Sequence, residues 1–282
     1  MRLHAMVRGL VPVVICLAGA ATAGPSVERG EYLVRGPAGC GNCHTPKGPE
    51  GALPDRELAG SVVLDIPEFT AIAANLTPAG RIAQWSDAEV ARAIREGRRP
   101  DGTLIGPPMP IEMYRGLSDE DVASIVMFLR TLAPVESDLP ASTYRIPLPA
   151  AYGPPVETVT APERAVTVDY GAYLAGPVAH CIECHTPMGP QGSMLETDLG
   201  RGGFEFHGPW GVSVSANLTS HPDGLASYSD EQVARMITQG VHADGKPMLP
   251  PMPYGHFARF TEDDLKAVIL YLRSLPPLPD AP

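Results

Sequence analysis

Beyond residue 20 this 282-residue chain has no hydrophobic run approaching the ~20 residues that cross a bilayer. It shows no convincing stretch of alternating polar and apolar residues, and only 5 cysteines. Cations are scarce beside anions, 21 Lys and Arg against 32 Asp and Glu, for a formal charge of −11. A chain this acidic suits neither nucleic acid nor anionic lipid as a partner, and suits docking on a basic patch of another protein. The missing alternation argues against sheet architectures and leaves helices. The shortage of cysteine matters through position: Cys16 lies in an apolar leader, and the other four stand as two pairs of equal spacing. Both pairs belong to larger motifs, so no disulfide framework is left to build.

The leader explains the odd cysteine. Arg2 and Arg8 form a short basic region, Leu10 to Ala20 is apolar, and Ala21-Thr22-Ala23 reads as a small-residue cleavage site before Gly24. Residues 1–23 are therefore expected to be a signal peptide, which places the mature protein in the periplasm without an integral membrane segment. The leader takes two of the 21 cations and none of the 32 acids, leaving −13.

The pairs are Cys40-Gly41-Asn42-Cys43-His44 and Cys181-Ile182-Glu183-Cys184-His185. Thiols three residues apart lie on one side of a helical turn, where both can add to the vinyl groups of a single porphyrin. The histidine that follows is then held beneath the ring as an iron ligand. C-x-x-C-H is accordingly the attachment signature of a c-type haem. A redox dithiol has no need of a histidine directly after it, twice. A zinc site would want a second ligand pair within each half, and neither half has another cysteine. Two covalently attached haems c are expected, anchored by Cys40, Cys43, Cys181 and Cys184, with His44 and His185 as proximal ligands.

The sequence also repeats itself. Gly30-Glu31-Tyr32-Leu33 returns as Gly171-Ala172-Tyr173-Leu174, Ala74-Asn75-Leu76-Thr77 as Ala216-Asn217-Leu218-Thr219, Trp85-Ser86-Asp87 as Tyr228-Ser229-Asp230, and Leu129-Arg130-Thr131-Leu132 as Leu272-Arg273-Ser274-Leu275. The offset drifts only from 141 to 143 residues, so one unit is used twice. The expected layout is residues 24–135 as the first domain, 136–164 as a proline-rich linker, and 165–282 as the second. Tyr144, Ile146, Leu148 and Tyr152 in the linker favour its lying docked on a domain. Ser86 with Glu89, and Ser229 with Gln232, are capping boxes that open helices. Val122, Ile125, Val126 and Leu129 mark the buried face of a helix after Ser118, as Leu265, Val268, Ile269 and Leu272 do after Thr261. The fold class is expected to be all-α, each unit a few helices with long loops around a large apolar group.

A second axial ligand separates an electron carrier from a site that handles small molecules. Pro107-Pro108-Met109-Pro110 and Pro250-Pro251-Met252-Pro253 supply the candidates. A thioether is a soft iron ligand that raises the reduction potential, and flanking prolines fix the backbone that presents it. Most methionines are core fillers, but only Met109 and Met252 are methionine in both copies. Met113, Met248 and His256 stand in reserve. Trp85 and Tyr228 occupy equivalent places from which they reach a haem propionate or pack on the ring edge, and Arg98 and Arg99 neutralise propionates or face solvent.

With these elements assembled, each unit resembles a class I cytochrome c domain. Cys-His-Thr-Pro at Cys43 and Cys184, Ala-Asn-Leu-Thr, Trp-Ser-Asp, and the pairs Asp101-Gly102 and Asp244-Gly245 are similar to the cytochrome subunits of bacterial alcohol and aldehyde dehydrogenases. Many of those carry three haems where this chain has two motifs. The resemblance implies a protein without substrate chemistry of its own, taking electrons from a dehydrogenase and passing them to a downstream acceptor of the respiratory chain. The alternative is a dihaem peroxidase or a small-molecule-oxidising cytochrome with one open iron.

Overall fold

A computed structural model describes residues 24–190 and 192–281, so the expected signal peptide lies outside the described residues. The first half contains helices α1 (Val27–Arg35), α2 (Cys40–His44), α3 (Asp87–Glu96), α4 (Ile111–Tyr114) and α5 (Asp119–Thr131). The second contains α6 (Val168–Tyr173), α7 (Cys181–Cys184), α8 (Asp230–Gln239), α9 (Tyr254–Phe257) and α10 (Glu262–Ser274), in the same order relative to the repeated phrases. The capping boxes read from sequence are present at Ser86 and Ser229, and Gly97 and Gly240 close α3 and α8 in the left-handed conformation.

The expectation of an all-α class needs correction. Nine short strands occur among the described residues: β1 (Lys47–Gly48), β2 (Gly51–Ala52), β3 (Ser61–Asp65), β4 (Phe69–Ala73), β5 (Thr143–Tyr144), β6 (Met188–Gly189), β7 (Gly192–Ser193), β8 (Glu205–Gly208) and β9 (Gly211–Val214). They form antiparallel hairpins in the stretches read as loop, β1–β2 and β3–β4 in the first half, β6–β7 and β8–β9 in the second. At two to five residues each, they are too short for a period-two pattern to stand out. The segment 136–164 lies on the first half. Its β5 adds to the edge of β4, pairing Tyr144 with Phe69. Tyr144 donates to the Pro107 carbonyl at 2.9 Å and Tyr152 to that of Ile105 at 2.8 Å.

The phrase Gly-x-Tyr-Leu organises both halves. α1 crosses α5 so closely that a Cβ on Gly30 would fall 1.9 Å from the Ser124 carbonyl oxygen; Gly171 of α6 meets Ala267 of α10 at the same 1.9 Å. Only a residue without a side chain permits this approach. Leu33 and Leu174, three residues on, are fully buried. The tyrosine between faces the other half. The Tyr32 hydroxyl donates to Asp264 at 2.6 Å and accepts from the Thr261 N–H at 3.3 Å. Reciprocally, Tyr173 donates to Asp121 at 2.7 Å and accepts from the Ser118 N–H at 3.1 Å. Each tyrosine thus serves the N-terminus of the other half's last helix, where donors and dipole favour such partners.

Arg29 lies in the same interface, its guanidinium forked onto Asp121 at 2.7 and 2.8 Å. Burial works against the Asp121 carboxylate, but the hydrogen bonds and charge of Arg29 outweigh it and hold the group below the usual carboxylate range. Removing one partner of such a pair strands a buried charge.

Two outcomes are expected. Gly30→Ala and Gly171→Ala should each lower stability by about 1–3 kcal/mol, because the helices must part to admit a methyl group; thermal unfolding of the holoprotein measures it. Because the folded pKa of Asp121 is depressed, its contribution is complete above the unfolded value and is lost as pH falls through the folded one. Denaturant melts between pH 6 and 3 should show a shallower acid slope in Asp121→Asn than in the parent.

Candidate haem sites

The motif helices begin at the end of a tight turn. Gly39 before α2 and His180 before α7 both have positive φ, 57° and 42°. Glycine adopts this conformation without strain and histidine does not. The four thiols are unpaired. Burial pushes Cys40, Cys181 and Cys184 up to about 12 and raises Cys43 as well. A redox C-x-x-C needs the opposite, a thiolate stabilised near neutral pH. Thiols held protonated among apolar groups fit sulfurs destined for thioethers.

His44 Nδ1 lies 2.7 Å from the Ala74 carbonyl oxygen, and His185 Nδ1 lies 2.7 Å from that of Ala216. A carbonyl only accepts, so Nδ1 carries the proton and Nε2 keeps its lone pair for a metal. Burial lowers the pKa of both imidazoles, which favours the neutral, ligating form. This gives the phrase Ala-Asn-Leu-Thr a purpose that sequence reading missed. Its alanine carbonyl orients the histidine. Its asparagine then locks the turn: Asn75 Oδ1 accepts from the Thr77 N–H at 2.9 Å and hydroxyl at 2.7 Å, and Asn217 does the same for Thr219 at the same distances. The signal was there, since a four-residue phrase recurring without apolar periodicity implies side-chain-to-backbone bonding.

The other phrases resolve likewise. Thr45 and Thr186 of Cys-His-Thr-Pro are buried and accept from the N–H groups of Leu58 at 3.0 Å and Gly200 at 3.1 Å. Arg130 reaches the carbonyls of Ile82 and Trp85 and the carboxylate of Asp87; Arg273 repeats this with Leu225, Tyr228 and Asp230.

In the first half, Cys40, Cys43, His44 and Met109 line one cavity of about 610 Å³. Its walls are largely aliphatic, among them Ile82, Ile94, Ile125 and Leu129. The volume lies in the ~300–1,000 Å³ range of cofactor pockets. Apolar walls, two thiols, an oriented imidazole and a thioether together fit a haem c. Trp85 also lines the cavity, as do Arg99, which burial and the nearby Arg81 keep below its usual pKa, and Arg81 itself. Sequence reading did not find Arg81, because it belongs to no repeated phrase. Arg98 instead hydrogen-bonds the carbonyls of Gly102 and Ala150.

In the second half, Cys181, Cys184 and His185 stand on equivalent elements, and Tyr228 packs against the core. Met252 has the same backbone setting as Met109. Its carbonyl accepts from the Tyr254 N–H at 3.0 Å, as that of Met109 does from Ile111 at 2.8 Å. Of the reserve ligands, Met113 is buried in α4, while His256 has its Nδ1 3.0 Å from the Arg35 carbonyl oxygen and its ring against Gly41 of the other half. Met248 is half-buried, with its N–H donated to Gly240.

Residues 27–133 match the family model described as Cytochrome c. The chain is 30% identical over 278 residues to the fructose dehydrogenase cytochrome subunit of Gluconobacter japonicus, covering 89% of this chain and 53% of that protein. It is 28% identical to the cytochrome c subunit of alcohol dehydrogenase (quinone) from Gluconobacter oxydans, covering 90% and 55%. A diheme cytochrome c-type protein of Cereibacter sphaeroides is 27% identical, covering 88% and 86%. The chain therefore spans about half the length of these two dehydrogenase subunits and most of the diheme protein.

Replacing the Thr186 hydroxyl by a methyl group in Thr186→Val should leave the Gly200 N–H unpaired and cost about 1–3 kcal/mol of stability. Thr45→Val should behave alike, and thermal unfolding of each purified holoprotein measures the loss.

Proposed function

Starting from residues 27–133 as a cytochrome c domain, we propose that the chain is a tandem of two such domains, 24–135 and 165–282 joined by 136–164, acting as a dihaem electron carrier. The observation that carries this reading is the duplicated histidine geometry, with Nδ1 on a backbone carbonyl at 2.7 Å in both halves and a C-x-x-C pair just before it. When bound, each haem supplies a one-electron iron couple. The cysteines of each motif would anchor it covalently, His44 and His185 would hold the iron through Nε2, and Met109 and Met252 would supply a thioether. With two protein ligands to each iron, neither site would leave a position for a reactant, which makes the protein a carrier and not a catalyst.

Relatives that are cytochrome subunits of dehydrogenases support a dehydrogenase as electron donor, with a second protein of the respiratory chain as acceptor. The acidic surface suits both partners. Among the described residues no helix is long and apolar enough to cross a membrane. A leader at residues 1–23 supports export to the periplasm, where haem attachment to C-x-x-C-H would occur.

The test is a spectroelectrochemical titration of the purified holoprotein, with haem counted per chain and carbon monoxide added to the reduced form. Two haems, a methionine–iron charge-transfer band and no carbon monoxide binding are expected. Met252→Ala should open one iron, lower its potential and let carbon monoxide bind there. A parent protein that already binds the gas would make it a peroxidase-like or small-molecule-oxidising cytochrome instead.

A further inference from the structure

The two halves agree at their cores, their caps and their mutual interface, and differ around the mouths of their sites. In the first half two cations gather there. Arg81 and Arg99 line the cavity, and the charge of Arg81 reaches the Arg99 guanidinium. One carboxylate, Asp101, shares the lining and is turned onto the Thr103 N–H and hydroxyl.

The second half lacks the whole set. Before Leu225, the counterpart of buried Ile82, stands Gly224 in place of Arg81. Arg99 is replaced by His242, each with its N–H bonded four residues on, to Thr103 and Lys246. The cation found there, Lys246, is paired at 2.7 Å with Asp244, the counterpart of Asp101. Glu183 faces Cys43 but stands between Cys181 and Cys184, so its charge weighs on both sites and does not separate them.

Oxidised haem iron carries one more positive charge than reduced. Two arginines against the single carboxylate of Asp101 leave an excess of positive charge in the first half, which disfavours the oxidised form and so raises the reduction potential. We infer that the first site is the high-potential one, set above the second by Arg81 and Arg99, so that electrons on this protein rest in the first half and the second is the lower-potential port. This ordering rests on the dihaem His/Met reading and adds a direction to it.

Two single-ligand variants separate the sites. In Met252→His the methionine–iron band reports the first site alone, and in Met109→His the second alone. Redox titration of that band should place the first site at the more positive potential. Adding Arg81→Gln and Arg99→Gln should shift the first-site wave downward and leave the second in place, and Arg99→Lys in place of Arg99→Gln should restore part of the shift. A first-site wave at or below the second, or one unmoved by the double replacement, overturns the ordering. Absence of the band from the parent protein would instead remove the ligand assignment on which the ordering rests, so the two failures are told apart.

Discussion

In each half one helix crossing sets a glycine directly against a helix backbone. Gly30 on the Ser124 carbonyl and Gly171 on that of Ala267 let the first and last helices of each half cross at a distance that any side chain would forbid. The course of the chain toward the motif helix depends on that seating. Leu33 drops into the core, the Ala38 N–H turns back onto the Leu33 carbonyl, and the chain enters the motif helix at Cys40. A shift of α1 on α5 would carry the two thiols and the histidine away from the Ala74 carbonyl that orients it. The same crossing aims Tyr32, two residues after Gly30, out of its own half and at the last helix of the other.

The joint between the halves is accordingly polar at its centre. Two tyrosine hydroxyls, two aspartates and one arginine meet there, Tyr173 and Asp121 buried and the others half-buried, and each tyrosine meets both a carboxylate and an N–H. Burying such groups costs several kcal/mol unless every one is paired, and an apolar joint of equal area would be no less stable. What the polar set adds is a single register. A rotation of one half against the other would take Tyr173 from Asp121 and Tyr32 from Asp264 at once. Pairing at helix N-termini reinforces this, since donors and dipole there suit a carboxylate.

Much of this was legible in the sequence, for identifiable reasons. Helices α3, α5, α8 and α10 run over three turns or so and carry strong caps, so periodicity located them. The iron-ligand candidates were legible because C-x-x-C-H is a covalent geometry compressed into five residues. The hairpins were not, because strands of two to five residues leave no pattern and β3 and β4 are stabilised by tertiary contact with segment 136–164. The repeated phrases could be seen but not interpreted: Gly-x-Tyr-Leu looked like an entry helix, whereas its glycine and tyrosine answer to partners about 90 and 230 residues away. Arg81 was invisible, as its place at the cavity mouth comes from a turn and not from any motif.

The reciprocal joint also explains where the two halves can differ. A substitution at Gly30, Tyr32 or Asp121 disturbs a contact on which both halves rely, and the matching position in the other half is held to the same requirement. Residues at the cavity mouths touch neither the crossing nor the joint. Arg81 and Arg99 against Gly224 and His242 alter charge while leaving the histidine geometry identical at 2.7 Å. Difference between two sites built to one plan must therefore be written in the loops, because the helices carry too many shared contacts to change alone.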